Sequence, residues 1–219
     1  VYNQSNNFFK YRSYDSSQIR LTNFPMQILW SKTKILGEEI DTWTNVTLAN
    51  SIDLDGDKGN LNALRNFNNT IYAFQDKGIS TILYNENAQI ATTTGVPIEI
   101  ANSGKVQGKR YISSVIGCNN KWSICESPMG LYFIDSNTGG LYIINPQIST
   151  ISDQKGFKQW FSKQHTNKVW NPKDQLNFRT YYDYIHNDVY LIKDDVCLVF
   201  SEYLGEFTSF MSYEKTQGM

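Results

Sequence analysis

The sequence predicts an all-β protein, a propeller-like array of antiparallel hairpins, and three observations carry that prediction. A hairpin phrase occurs three times: Asn69 to Asp76, Gly130 to Asp135, and Asp188 to Asp194. Each copy sets a β-branched or Leu residue and a Tyr ahead of further apolar residues, reaches an Asp, then crosses polar turn residues into a second apolar run. The second runs are Ile79 to Leu83, Leu141 to Ile144 and Val196 to Phe200. The tyrosines, Tyr72, Tyr132 and Tyr190, stand 60 and 58 residues apart, a period that suits units of a few strands each. The third observation is compositional: 14% aromatic residues, with 14 Tyr and 12 Phe, suit packing across strands, while Asn, Ser, Thr, Gln and Gly supply turns.

In chain order, residues 1–20 are polar and Asn/Ser-rich and read as an N-terminal arm. The propeller-like domain then spans 21–219. Gln27 to Ser31 is a strand, Gly37 to Trp43 a turn and short segment with Trp43 plugging one end of a blade, and Leu48 to Asp53 a lead into the turn Asp53 to Gly59. Leu61 to Phe67 precedes the first hairpin phrase, Tyr111 to Cys118 the second and Phe178 to Ile185 the third, so each repeat offers a strand, a turn and a hairpin. One helix is expected near 152–164, with Ser152 or Asp153 as N-cap and Phe157, Trp160 and Phe161 on one stripe that covers a sheet face or a seam. Lys163 to Asp174, which contains Pro172, reads as a surface loop.

A formal net charge of −1 and the absence of polybasic runs give no footprint for nucleic-acid binding; Lys105 to Arg110, the densest basic segment, reads as a solvated loop. No run reaches the length of a membrane span. The three cysteines, Cys118, Cys125 and Cys197, have no metal-ligand spacing. Reduced thiols are the default, Cys197 belongs to the core, and Cys118 and Cys125 are close enough in sequence to meet across a hairpin. The first residue is Val1, which suggests a processed chain or a piece of something longer.

Few residues offer chemistry. Asp53, Asp55 and Asp57 form a weak candidate metal site, since alternate carboxylates around a Gly can turn toward one hard cation. Lys58 and Leu64 stand where a helix-loop-helix calcium loop needs Gly and Glu, so a plain Asp-Gly turn competes with that reading. Glu38, Glu39 and Asp41 share one turn and do not make an opposed glycosidase pair. His165 and His186 are the only histidines, and no nucleophile elbow, phosphate-cradling loop or dinucleotide fingerprint is present. The sequence therefore predicts no catalytic residue, no cofactor and no enzyme activity.

Taken in order, Gln27 to Ser31 with Asp41-Thr42-Trp43, then Ile52 to Asp57, then Asn69 to Gly78 resembles the propeller-like tail and neck proteins of tailed bacteriophages, and among them the muzzle-type tail proteins of crAss-like phages. Phe157 to Phe161, Asp188 to Phe200 and Leu204 to Phe210 fit the same resemblance. It implies a non-enzymatic virion protein of the phage tail, forming part of the wall or cap of the DNA exit channel. Its partners would be other tail or neck proteins and copies of itself in a ring-like assembly, past which DNA moves without specific binding. Three repeats fall short of the four or so blades a ring needs, so an incomplete ring or a fragment of a longer chain is expected. The alternative is a secreted or surface carbohydrate-binding propeller, with Trp43, Trp122 or Trp170 stacking on sugars.

Overall fold

The computed structural model describes residues 23–32, 44, 46–47, 49–84, 89–91, 97–99, 106–135, 137–166, 178–193 and 196–212. Two short strands come first, β1 (Gln27–Leu29) and β2 (Ser51–Asp53), paired antiparallel with Ile28 opposite Ile52. A 3₁₀ turn, Gly56–Lys58, leads into the first of three four-stranded antiparallel sheets. That sheet has the order β3 (Leu61–Phe67), β4 (Thr70–Gln75), β5 (Gly78–Tyr84) and β8 (Val106–Ser113). A small hairpin, β6 (Gln89–Ala91) with β7 (Pro97–Glu99), is inserted before its last strand. The second sheet runs β9 (Cys125–Ser127), β10 (Gly130–Ile134), β11 (Leu141–Asn145), β12 (Gln147–Thr150). Helix α1 (Lys158–Thr166) follows, and the third sheet runs β13 (Arg179–Asp183), β14 (Asp188–Lys193), β15 (Val196–Ser201), β16 (Glu206–Ser212).

Each sheet is a blade-like meander, and each copy of the predicted phrase forms its two central strands: β4 with β5, β10 with β11 and β14 with β15. Local turn chemistry sets the registers. Asn68 and Asn69 both adopt positive φ, 47° and 56°, in the two-residue connection that places Phe67 opposite Thr70, a backbone twist that matches the strands on either side. The longer turn after β10 closes with Gly139 at φ 72°.

Four expectations need correction. The basic segment Lys105 to Arg110 is not a solvated loop, because from Val106 on it is strand, paired with β5. The run from Tyr111 is not the lead strand of the second sheet; it continues the same β8, the last strand of the first sheet. It stops at Ser113, whose Oγ accepts from the amides of Val115 and Ile116, and the second sheet opens with the three-residue β9 instead. The helix begins at Lys158, six residues after Ser152. Residues 151–156 form turns that end at Gly156, whose φ of 78° leaves the right-handed helical region, and Ser152 Oγ accepts from Leu141 N rather than capping a helix. The aromatic stripe forms as expected. Phe157 lies 4.3 Å from Phe207, Trp160 lies 5.7 Å from Phe210 and Phe161 lies 6.1 Å from Phe178, centroid to centroid. The helix thus covers the seam between the second and third sheets. Residues 163–166, expected to open a surface loop, are instead the last turn of α1. The rest of the Lys163 to Asp174 segment, arm 1–20, Trp43 and Trp170 lie outside the described residues.

The core is layered between sheets. Ile28 and Leu54 pack with Ala73 and Ile82 behind the first sheet. Phe67, Tyr72, Phe74 and Ile79 of that sheet meet Leu131, Phe133 and Ile144 of the second. Tyr132, Ile134 and Leu141 then meet Tyr182, Val189, Leu191, Leu198 and Phe200 of the third. The second sheet is therefore covered on both faces, which is why every residue of β10 is buried. In β14 buried Val189 and Leu191 alternate with half-buried neighbours.

Candidate functional site

The polar groups of this protein converge on the seams where one sheet hands the chain to the next. Gln75, at the end of β4, is fully buried. Its Nε2 donates to the carbonyls of Gly59 (2.7 Å) and Asp55 (3.1 Å), and its Oε1 accepts from the Tyr111 hydroxyl at 2.7 Å. That hydroxyl in turn accepts from Asp55 N at 3.0 Å. The turn entering the first sheet is in this way tied to both its second and its last strand. Next to it, Asp76 Oδ2 accepts from Asn60 N at 2.9 Å and Oδ1 from Asn62 Nδ2 at 2.8 Å.

The segment entering the second sheet passes beneath the same turn. Cys118 N donates to Gln75 O at 2.8 Å, and Gly117 N donates to Asp135 Oδ1 at 2.9 Å. Asp135 is fully buried, and its Oδ2 accepts from both the amide and the hydroxyl of Thr138. A Cβ on Gly117 would lie 2.5 Å from Gln75 O, so this close approach of two backbones excludes any side chain. Asn62 Nδ2 completes the seam by donating to Cys118 O at 3.1 Å. The following seam repeats the device. Asn120 Oδ1 accepts from Trp122 N at 3.0 Å, capping the 3₁₀ turn Lys121–Ser123, and Nδ2 donates to Phe178 O at 2.7 Å. Each asparagine reaches the carbonyl of the segment that enters the next sheet, 56 and 58 residues further on.

A smaller polar cluster lies in the second seam. Burial raises the pKa of the Tyr132 phenol, and the nearby Glu202 carboxylate raises it further. The Tyr182 phenol is pushed up to about 12 by burial and by the same carboxylate. The Tyr182 hydroxyl donates its proton to Asn187 Oδ1 at 3.0 Å. Both phenols remain protonated at neutral pH, and Tyr132 of the second sheet packs in one core with Tyr182 of the third.

Asp53, Asp55 and Asp57 turn to separate partners. Asp53 accepts from Gln27 Nε2 at 3.0 Å, Asp55 pairs with Lys109 and Asp57 with Lys58 at 2.7 Å. The Lys58 hydrogen bond holds the Asp57 carboxyl below its usual range. Among the described residues no three His, Cys, Asp or Glu side chains gather where a metal could be held. Cys118 and Cys125 do not pair, because Cys118 lies in the first seam and Cys125 against the second. Burial pushes both thiols up to about 11. Trp122 is 63% exposed, but the Lys121 ammonium sits 5.0 Å from its ring centroid and competes for one aromatic face. A groove of about 450 Å³ between β8 and β12 is lined by Arg110, Tyr111, Ser113, Pro146 and Gln147, with no acid–base pair converging in it. Sequence reasoning missed Asn62, Gln75, Gly117 and Asn120. The one available signal was spacing, since Asn62 and Asn120 are 58 residues apart, the same interval as Tyr132 and Tyr190.

Sheets stacked in chain order, with buried polar side chains directed at the joints between them, define a structural building block of modular, stacked-sheet type. The comparisons name the family. Residues 1–219 match the family model of the Crassvirus muzzle protein, and the chain belongs to that family. It is 52% identical to the muzzle protein of Bacteroides phage crAss001 over 219 residues, which is all of this chain and 16% of that protein's length.

Proposed function

We propose that this chain is one arc of the wall or cap of the DNA exit channel in the tail of a crAss-like phage. As a member of the muzzle protein family it is a structural virion protein. In the proposed reading it carries no catalytic activity and works mechanically: domain 21–219 is an incomplete propeller-like ring, closed by further sheets of a longer polypeptide or by neighbouring subunits, with arm 1–20 reaching a neighbour. The observation that carries the reading is the repeated seam, in which Asn62 and Asn120 each tie their own sheet to the entry of the next. Such joints stiffen a stack. A balanced charge of −1 suits a wall past which DNA slides without being gripped.

The test is to separate tails from capsids of purified particles, denature each fraction and probe it with antibody against residues 106–135. Signal in the tail fraction supports the reading; signal in capsids alone, or in neither fraction, overturns it. A carbohydrate-binding role gains no support at Trp122, whose ring is shared with Lys121.

A further inference from the structure

Two turns at one end of the third sheet have the same construction. In Asp183–Asn187 the Asn187 amide donates to Asp183 O at 2.9 Å with Asn187 at φ 57°. In Ser201–Gly205 the Gly205 amide donates to Ser201 O at 2.8 Å with Gly205 at φ 65°. The turn Asp135–Gly139 is closed the same way, Gly139 N to Asp135 O at 2.8 Å, yet its middle residues are Ser136, Asn137 and Thr138. The backbone form therefore makes no demand for apolar residues. The two turns of the third sheet nonetheless place Tyr184 and Ile185 at 70% and 83% exposure, and Tyr203 and Leu204 at 87% and 62%.

This tip is preorganised. Glu202 N donates to Asn187 O at 2.9 Å, joining the two turns, and Tyr184 packs edge-on against buried Tyr182 at 4.8 Å. Two Tyr and two aliphatic side chains held out on a fixed support lose little further entropy on contact, the composition and rigidity of an interface anchor. Immediately below, one cross-strand row contains Asp183, Asp188, Ser201 and Glu206. Two cationic side chains stand near this row among the described residues: His186, 2.6 Å from Asp183, and Lys155, 4.0 Å from where a Gly205 Cβ would stand; the row holds three carboxylates. An apolar tip on an acidic base disfavours an anionic lipid surface and fits a protein whose contacting face is apolar and rimmed with Lys or Arg.

We propose that Tyr184, Ile185, Tyr203 and Leu204 form a docking knob for a different virion subunit with a basic-rimmed apolar face. The inference rests on the chain being built into a particle, and that is checked first by detecting it in purified virions by mass spectrometry. Particles are then assembled with p-benzoylphenylalanine in place of Tyr203, irradiated, and the linked peptides sequenced. The expected product joins position 203 to one other virion protein through a peptide bearing Lys or Arg beside apolar residues. In parallel, the Ile185→Ser/Leu204→Ser double variant enters particles at least tenfold less than the parent chain, while Thr208→Ser, on the exposed face of β16, enters normally. A link to a second copy of this chain, a link to lipid, or no link in particles that contain the chain overturns the proposal. So does normal incorporation of the double variant.

Discussion

The side-chain amide of Asn120 donates to the carbonyl of Phe178 at 2.7 Å, and 58 residues earlier Asn62 stands in the same relation to Cys118. Both bonds join the entry of one sheet to the entry of the next. Phe178 is fully buried, so removing the Asn120 amide leaves its carbonyl without water to replace the lost donor. Asn120→Ala is expected to cost about 1–3 kcal/mol, and Asn62→Ala, whose bond is only part-buried, about 0.5–1.5 kcal/mol. Urea unfolding at pH 7 measures both. Equal midpoints for Asn120→Ala and the parent would show that the bond does not hold the seam.

Gly117→Ala sets a methyl group against Gln75 O and the Asp76 carbonyl, with backbone on both sides of the contact. Neither neighbour is a flexible side chain. A loss of about 1–3 kcal/mol is expected, whereas Gly108→Ala, with open space around its Cβ, changes thermal stability by less than about 1 kcal/mol. Thermal unfolding followed by circular dichroism compares the two.

Phe133→Ala opens a cavity where Phe74 and Tyr142 now contact the ring at centroid distances of 5.4 and 5.8 Å. A cost of about 3–5 kcal/mol is expected for this fully buried residue. Phe210→Ala, at a half-exposed position, should cost markedly less. The order of the two denaturation midpoints decides whether the first seam is the stability centre.

Burial and not disulfide formation governs Cys118, whose thiol is lifted to about 11 and lies 3.2 Å from both Asn120 O and Ser123 Oγ. A thiol reagent at pH 8 should leave native Cys118 unmodified over hours and label it within minutes in denaturant. Rapid native labelling at Cys118, read by peptide mass spectrometry, would contradict the packing described.

The Asp183–His186 pair gives a pH signature with a definite sign. The hydrogen bond to Asp183 raises the pKa of His186 above 6.5, and the same bond lowers that of Asp183 below 3.8. Their mutual stabilisation is therefore present between those two values. It fades as pH rises through the raised value of His186 and as pH falls through the lowered value of Asp183. Both groups are solvent-exposed enough that the effect on global stability is small. An NMR titration should find His186 above 6.5 in the parent chain and shifted back toward 6.5 in Asp183→Asn; an unshifted His186 in both would dismiss the pair.

The hairpins were legible because Tyr72, Tyr132 and Tyr190 sit in runs whose alternation and turn residues encode local pairing. The assignment of β8 was not, since pairing with β5 spans the inserted β6–β7 hairpin and depends on which edge is free rather than on local pattern. The start of α1 was misplaced because Ser152 has the chemistry of an N-cap, and only the tertiary contact with Leu141 shows that its hydroxyl is already engaged. Asn62 and Asn120 read as ordinary loop residues in sequence, for their acceptors are backbone carbonyls that any residue carries. The candidate carboxylates Asp53, Asp55 and Asp57 showed the opposite difficulty: proximity in sequence did not bring their side chains to a common point.

The central strands also give the stack a direction. In β10, Leu131 looks back to the first sheet and Tyr132 forward to the third; in β4, Ile71 packs behind and Tyr72 ahead. Front and back are chemically different surfaces, as the two sides of a zipper tooth are. Each joint within the chain is heterologous, the front of one sheet meeting the back of the next, so the stack has a head and a tail.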